Sequence, residues 1–343
     1  MAHAVIPKQR LRENLASMMG EYRLAGPAKQ EDRLVYKEIK NVDELVFTDD
    51  VPYMSPKEFL FPRVDKLMTF TRDEGIVENL VAQGTIIFGA KPCDLETVKI
   101  LTAIFSHGQY TDPYFVRSLE NTIFIGVGCI SEKPGCFCSK RGVDRSFSSD
   151  CDLFLTDVGD CYSLEYASDR GKALCQDWGI EIMEGASPKG EGMVSCSQGE
   201  VKNKNGAPAG SPELLEIKTD EKRVFKEVDW DTITEKCLGC GICTYICPTC
   251  HCFAFKDVSA GDESSRYRLW DSCMYPKFTL HASGHNPRVS KKERFRQRVM
   301  HKFVYIPNNH GMTACTGCGR CIRSCPVGMN INTVVSHIME ELK

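Results

Sequence analysis

The run C-x2-C-x2-C-x3-C-P occurs twice in this chain, as Cys237, Cys240, Cys243, Cys247, Pro248 and again as Cys315, Cys318, Cys321, Cys325, Pro326. This spacing is an iron–sulfur signature. Three thiolates two residues apart wrap one face of a cubane, and the fourth points away because the following proline turns the chain toward a second cluster. The runs therefore predict crossed ligation. One [4Fe-4S] cluster takes Cys237, Cys240, Cys243 and Cys325, and the other takes Cys315, Cys318, Cys321 and Cys247. Structural zinc is the plainer alternative, but it wants pairs of ligands a dozen or more residues apart. A second rival hides in the first run, where Cys243, Cys247 and Cys250 read C-x3-C-x2-C, the spacing of a radical cluster. Two of those three are already claimed by the paired array, and the second run has Gly328 where the matching Cys would stand.

Length and composition leave room for this. The chain has 343 residues, 42% hydrophobic and 26% charged, which suits two domains with cores of their own. A net charge of -3 argues against nucleic acid as a general partner. The start, MAHAVIPKQRLRE, has no apolar signal core, and the apolar runs around Ile86 and Ile123 are too short to span a bilayer. The expectation is a cytoplasmic protein, where thiols stay reduced and 19 Cys serve as metal ligands rather than disulfides.

The expected architecture is an α/β domain over 1–228 followed by a mainly helical, two-cluster domain over 229–343. A short helix is expected around Asn14 to Met19, strands at Leu34 to Ile39 and Glu44 to Phe47, and a loop from Pro52 to Pro62. Thr85 to Phe88 and Thr122 to Val127 read as buried parallel strands, joined by a crossover helix over Asp94 to Phe105. Each strand ends in glycine and then cysteine. Ligands collect past the carboxyl ends of such strands, so Cys93 and Cys129 are expected to converge there. Cys136 and Cys138, in PGCFCS, lie close enough to return to the same crevice. These four define a third expected [4Fe-4S] cluster, the alternative being that they are small buried hydrophobes.

Cys151, Cys161, Cys175 and Cys196 show no partner spacing and read as plain thiols. From Gly185 to Pro212 the composition turns to Gly, Ser, Pro, Lys and Asn, a polar loop, and Glu213 to Val228 reads as the last strand-like piece. Between the runs lie 67 residues. Within them Ser290 and Glu293 form a capping box ahead of Phe295, Val299 and Phe303 on one helical face, with Pro307 as the stop. A last helix begins at Asn332, with Val335, Ile338, Met339 and Leu342 inward. From Arg288 to Lys302 there are seven Lys or Arg and one Glu. That charge reads as a solvated face, a dock for an acidic partner, or stabilisation of reduced clusters, with nucleic acid a weaker option. Cys250, Cys252 and Cys273 remain without a defined spacing.

The segments CPTCHCF, RLWDSCMYPKFTLHASGHNPR, RFRQRVMHK and CTGCGRCIRSCPVGMNI, with GAKPCDL, Cys129 and GCFC upstream, resemble one group of electron-transfer subunits. The group contains the A subunit of anaerobic sulfite reductase, the beta subunit of cytoplasmic sulfhydrogenases, and the B subunit of flavin oxidoreductases that work with heterodisulfide reductase. The ending CPVGMNI leans toward the latter two branches. The resemblance implies an α-helical ferredoxin domain with two cubanes, a third cluster in the first domain, and a flavoprotein partner that handles NAD(P)H.

A cubane held by four thiolates passes single electrons and binds no substrate. No G-x-G-x-x-G, P-loop or G-x-S-x-G is present, since GVGC at Gly126 lacks its third glycine. The expected role is thus an electron relay between a flavin/NAD(P)H subunit and a terminal redox subunit. Two alternatives stand beside it: an iron–sulfur enzyme that binds sulfite or another small substrate at an incompletely ligated cluster, and an interaction protein with structural clusters.

Overall fold

The computed structural model describes residues 2–106, 109–180, 183–184, 217 and 220–343. The first part runs β1 (Ala2–Pro7), α1 (Lys8–Ser17), β2 (Arg23–Gln30), β3 (Arg33–Glu38), β4 (Val64–Thr71), β5 (Gly75–Glu78), β6 (Thr85–Ala90), α2 (Pro92–Phe105), α3 (Pro113–Glu120), β7 (Thr122–Val127), β8 (Leu153–Asp157), β9 (Cys161–Tyr166), α4 (Asp169–Asp177) and β10 (Met183–Glu184). It continues with α5 (Glu221–Glu227), α6 (Trp230–Thr234), α7 (Ile242–Tyr245), β11 (Phe253–Ala260), β12 (Glu263–Trp270), α8 (Lys291–Met300), α9 (Ile306–His310), α10 (Arg320–Arg323) and α11 (Ile331–Glu341).

Every residue of β6 and β7 is buried, as near-continuous apolar strands at the centre of a parallel sheet must be. They pair in parallel with each other and with β2 and β8, inside a sheet ordered β10-β1-β9-β8-β7-β6-β2-β3 whose outer strands are antiparallel. The strand period of two splits their side chains between two cores. Ile86, Phe88, Ile123 and Ile125 pack with Leu11 and Leu15 of α1, while Ile87 and Phe124 pack with Leu95 and Leu101 of α2.

The sequence-based expectations differ from the fold at several places. Glu44 to Phe47 forms no strand beyond the bridge of Leu45 to Ala28, because a short 3-10 turn over Val42–Glu44, capped by Asn41, occupies its start. In the piece expected to be strand-like, Asp220 accepts from Lys222 N and Arg223 N and so caps helix α5. The polar loop at 185–212 lies outside the described residues. Pro307 does not stop the helix that starts at the Ser290 capping box. A π-helical turn over His301–Tyr305 places the proline in the first turn of α9, where its missing N–H costs nothing, and the chain runs on to His310.

After residue 228 the helices α6 to α11 are accompanied by a hairpin, β11–β12, which the mainly helical expectation did not include. β12 pairs with β4, so a second sheet ordered β11-β12-β4-β5 draws strands from both sides of the expected domain boundary. Arg268 of β12, buried, pairs there with Asp65 of β4 at 2.7 Å and with Asp112 at the cap of α3. The apolar stripe of α8 and its π turn, Phe295, Val299 and Phe303, packs on Val335, Ile338 and Leu342 of α11. That core holds the two cysteine runs against each other.

Candidate functional site

The twelve cysteines singled out in the sequence line three cavities. Cys237, Cys240, Cys243 and Cys325 line one, with Cys321 in its wall. Cys247, Cys315, Cys318 and Cys321 line a second. Cys93, Cys129, Cys136 and Cys138 line a third, with Cys318 in its wall. Cys247 lies with the second run and Cys325 with the first. Cys243 and Cys247 lie on different cavities, against the C-x3-C-x2-C rival. Since Cys321 lines the first two cavities and Cys318 the last two, the three stand in series.

The third cavity lies where the parallel strands predict. Cys93 opens α2 directly after β6, and Cys129 follows β7, with its N–H donated to Arg145 O at 2.8 Å. The 136–138 loop is pressed onto the second run, where Phe137 N donates to Gly317 O at 2.8 Å and Arg141 Nε to Cys315 O at 3.2 Å. Gly317, at φ +68°, stands so close that a Cβ there would lie 2.7 Å from Cys138 Cα.

Among the described residues no three His, Cys, Asp or Glu form a group that could hold a single metal ion. Several sulfurs receive hydrogen bonds: Cys237 Sγ from Gly239 N at 3.4 Å, Cys325 Sγ from Met329 N at 3.2 Å, and Cys136 Sγ from Arg323 Nη1 at 3.4 Å.

Whether the residues fit anionic clusters is tested by the buried cations. Arg298, 4% exposed, lines both the first and second cavities, and its Nε has no hydrogen-bond partner among the described residues. Burial works against its charge, yet the thiols of Cys243, Cys321, Cys250 and Cys247 hold its pKa well above the usual arginine value. Lys302, equally buried in the wall of the second cavity, is also raised: burial opposes its charge, and Cys247, Cys250 and Cys315 outweigh it. Lys57 donates to the carbonyls of Cys247 and Cys250 at 3.1 and 2.7 Å; burial lowers it to about 8. A buried cation is tolerated where an anion meets it, and thiolate-bound cubanes are anions. The residues present fit the group.

This corrects one reading of the basic segment. Arg294, Arg298 and Lys302 are buried and unavailable for docking, and Arg296 lies 3.6 Å over the Phe225 ring. Sequence reasoning missed them as site residues although their i, i+4 spacing beside Phe295, Val299 and Phe303 marks one inward face. It also missed how the leftover thiols pair. Cys250 hydrogen-bonds Cys247 and lowers its pKa, and Cys252 and Cys273 meet at the neck of the β11–β12 hairpin, where Cys273 holds Cys252 down to about 7. Cys151 and Cys175 are buried free thiols, whereas Cys161, expected to be one, is disulfide-bonded. Cys196 lies outside the described residues.

Residues 236–329 match the 4Fe-4S dicluster domain family, which spans both runs. Over 330 residues the chain is 30% identical to sulfhydrogenase 2 subunit beta of Pyrococcus furiosus, covering 93% of each protein. The chain belongs to the sulfhydrogenase beta-subunit family. It is an iron–sulfur electron-transfer subunit, with a sheet-rich α/β N-terminal region and a C-terminal dicluster domain for two [4Fe-4S] clusters. Among the described residues no helix is long and apolar enough to cross a membrane.

Proposed function

We propose that this chain holds three [4Fe-4S] cubanes in series and relays single electrons between a flavin- and NAD(P)H-binding oxidoreductase subunit and a terminal redox subunit of hydrogenase or heterodisulfide-reductase type. The ligands are Cys237, Cys240, Cys243 and Cys325; Cys247, Cys315, Cys318 and Cys321; and Cys93, Cys129, Cys136 and Cys138. The domain reading that goes with this is an α/β unit over 1–228 and an α-helical ferredoxin-like unit over 229–343, in the cytoplasm.

The observation that carries the reading is the sharing of walls. Three cavities, each with four of the proposed ligand thiols, share Cys321, Arg298 and Ile331 between the first two and Cys318 between the last two. Cubanes bound there supply one-electron transfer with no open coordination position. The protein's own part is to fix the thiolates, to donate N–H groups to sulfur at Cys237, Cys325 and Cys136, and to exclude water with the core around Phe295 and Val335. At one end Cys240 is exposed beside Leu238, which is 65% exposed, and this supports contact with a partner there. The relative's name as a sulfhydrogenase subunit supports hydrogenase as the terminal enzyme.

The test is anaerobic purification of the native complex together with the isolated chain. The expected results are about twelve iron per chain, reversible bleaching by dithionite, and NAD(P)H-dependent bleaching only when the partner subunits are present. Zinc in place of iron and sulfide, or reduction of sulfite by the isolated chain with an artificial donor, would overturn the relay.

A further inference from the structure

Burying a positive charge is costly unless an opposite charge meets it. Around the third cavity two cations meet that condition within the protein: Arg320 pairs with Asp94 at 2.6 Å and Lys133 with Asp49 at 2.5 Å. Lys91, buried nearby, donates to Thr48 O and makes no ion pair among the described residues, while Arg145 and Arg323 reach solvent. Around the first two cavities the condition is not met. Among the described residues Arg298 makes no ion pair and leaves Nε unpartnered, Lys302 Nζ reaches Thr249 Oγ1 and Ala314 O at 2.7 and 2.9 Å, and Lys57 Nζ reaches two carbonyls and the face of Trp270, 3.7 Å from its centroid. Apart from cysteine thiols, neutral oxygens and an aromatic face are what the described side chains and backbone offer these three cations. Their positions differ too. Arg298 lines both C-terminal cavities, Lys302 lines only the Cys247 cavity, and Lys57 holds the backbone of Cys247 and Cys250.

Resting on the ligand sets proposed above, we propose that Arg298, Lys302 and Lys57 are potential-setting residues that raise the midpoints of the two C-terminal cubanes, Arg298 acting on both and the lysines on the cubane at Cys247. A one-electron reduction makes a thiolate-bound cubane one unit more negative. A fixed cation within a few ångströms in a poorly polarisable interior stabilises that added charge more than the oxidised form, so the midpoint potential rises. Where each cation already faces a carboxylate, as at Arg320–Asp94 and Lys133–Asp49, the two fields largely cancel. With all three cations beside it, the cubane at Cys247 is the more readily reduced of the C-terminal pair.

The experiment is an EPR-monitored redox titration of the anaerobic full chain, with signals assigned by cysteine variants. Arg298→Gln is expected to move both C-terminal midpoints negative and leave the N-terminal one in place, while Arg298→Lys restores most of the shift. Lys302→Met is expected to move only the Cys247 cubane, and Lys302→Arg to keep it. Unmoved midpoints in a chain with full iron content, or equal shifts in the charge-keeping variants, would overturn the proposal and leave the relay standing. Should Arg298→Gln fail to hold iron, the lysine variants decide alone, with Lys57→Met as the third; no negative shift in either overturns it. A wild-type chain without iron and labile sulfide would overturn the ligand sets themselves.

Discussion

Asp94 and Arg320, 226 residues apart, form a two-pronged ion pair at 2.6 and 3.0 Å with both side chains essentially excluded from solvent. Asp94 follows Cys93 in the chain, and Arg320 stands between Cys318 and Cys321, so one contact ties the end of strand β6 to the second cysteine run. Arg320 Nε also donates to Pro52 O at 2.9 Å, which leaves the guanidinium well satisfied. Removing the carboxylate charge strands a buried cation. Asp94→Asn is expected to cost about 3–5 kcal/mol, whereas Asp94→Leu combined with Arg320→Met should cost less than either single change. Chemical denaturation midpoints of the anaerobic protein measure both.

The crossed grouping of thiols makes a prediction that spacing within one run would not. Cys247→Ser should damage the cubane whose other ligands are Cys315, Cys318 and Cys321, and Cys325→Ser the one at Cys237, Cys240 and Cys243. EPR of the two variants, compared with Cys240→Ser and Cys318→Ser, reports which signal each shares. If Cys247→Ser matched Cys240→Ser, the crossing would be wrong.

Iron content separates a two-cluster chain from a three-cluster chain. Wild type should hold about twelve iron, and Cys129→Ser or Cys136→Ser about eight, at four per cubane. A wild-type value near eight would return Cys93, Cys129, Cys136 and Cys138 to the role of buried thiols.

How far the sequence reached follows from where the information sits. The two runs and the strands β6 and β7 were legible because a cubane's geometry and a buried strand's apolar composition are both written in contiguous residues. The hairpin β11–β12 was not, since β11 is mostly exposed and β12 is held by β4, nearly two hundred residues earlier in the chain. The inward face of α8 was misread for the same reason. Arg294, Arg298 and Lys302 look like a solvated run until the thiols of Cys243 and Cys247 and the carbonyls around Met274 are brought beside them from other segments. Likewise the Cys252–Cys273 pair appears only once a hairpin joins its two ends.

Within the basic helix, two arginines two residues apart should behave differently. Arg294 donates to Met274 O, Arg288 O and Val289 O at 3.0, 3.2 and 2.6 Å, so Arg294→Ala leaves three carbonyls without a donor and should cost about 3 kcal/mol. Arg296 is half-buried over Phe225, and Arg296→Ala should cost about 0.5–1 kcal/mol. Similar losses for both in a denaturant titration would contradict this orientation of α8.

The contact between the second run and the 136–138 loop can be opened without touching any thiol. Gly317 has φ +68°, a conformation that costs other L-residues about 1–2 kcal/mol, and its added Cβ would also sit 2.7 Å from Cys138 N and Cα. Backbone cannot yield as a flexible side chain does, so Gly317→Ala must move the loop and break the Phe137 N to Gly317 O bond. Gly311, at φ +68° with nothing within 4 Å of its Cβ position, carries the same backbone strain without the collision and serves as the control. The expected result for Gly317→Ala is loss of about four iron per chain, with the EPR signals of both C-terminal cubanes retained, and for Gly311→Ala full iron content. If both variants kept all their iron, the close approach at Cys138 would not be what holds the N-terminal cubane against the second run; if Gly317→Ala lost every signal, the loop would be supporting the dicluster core rather than docking on it.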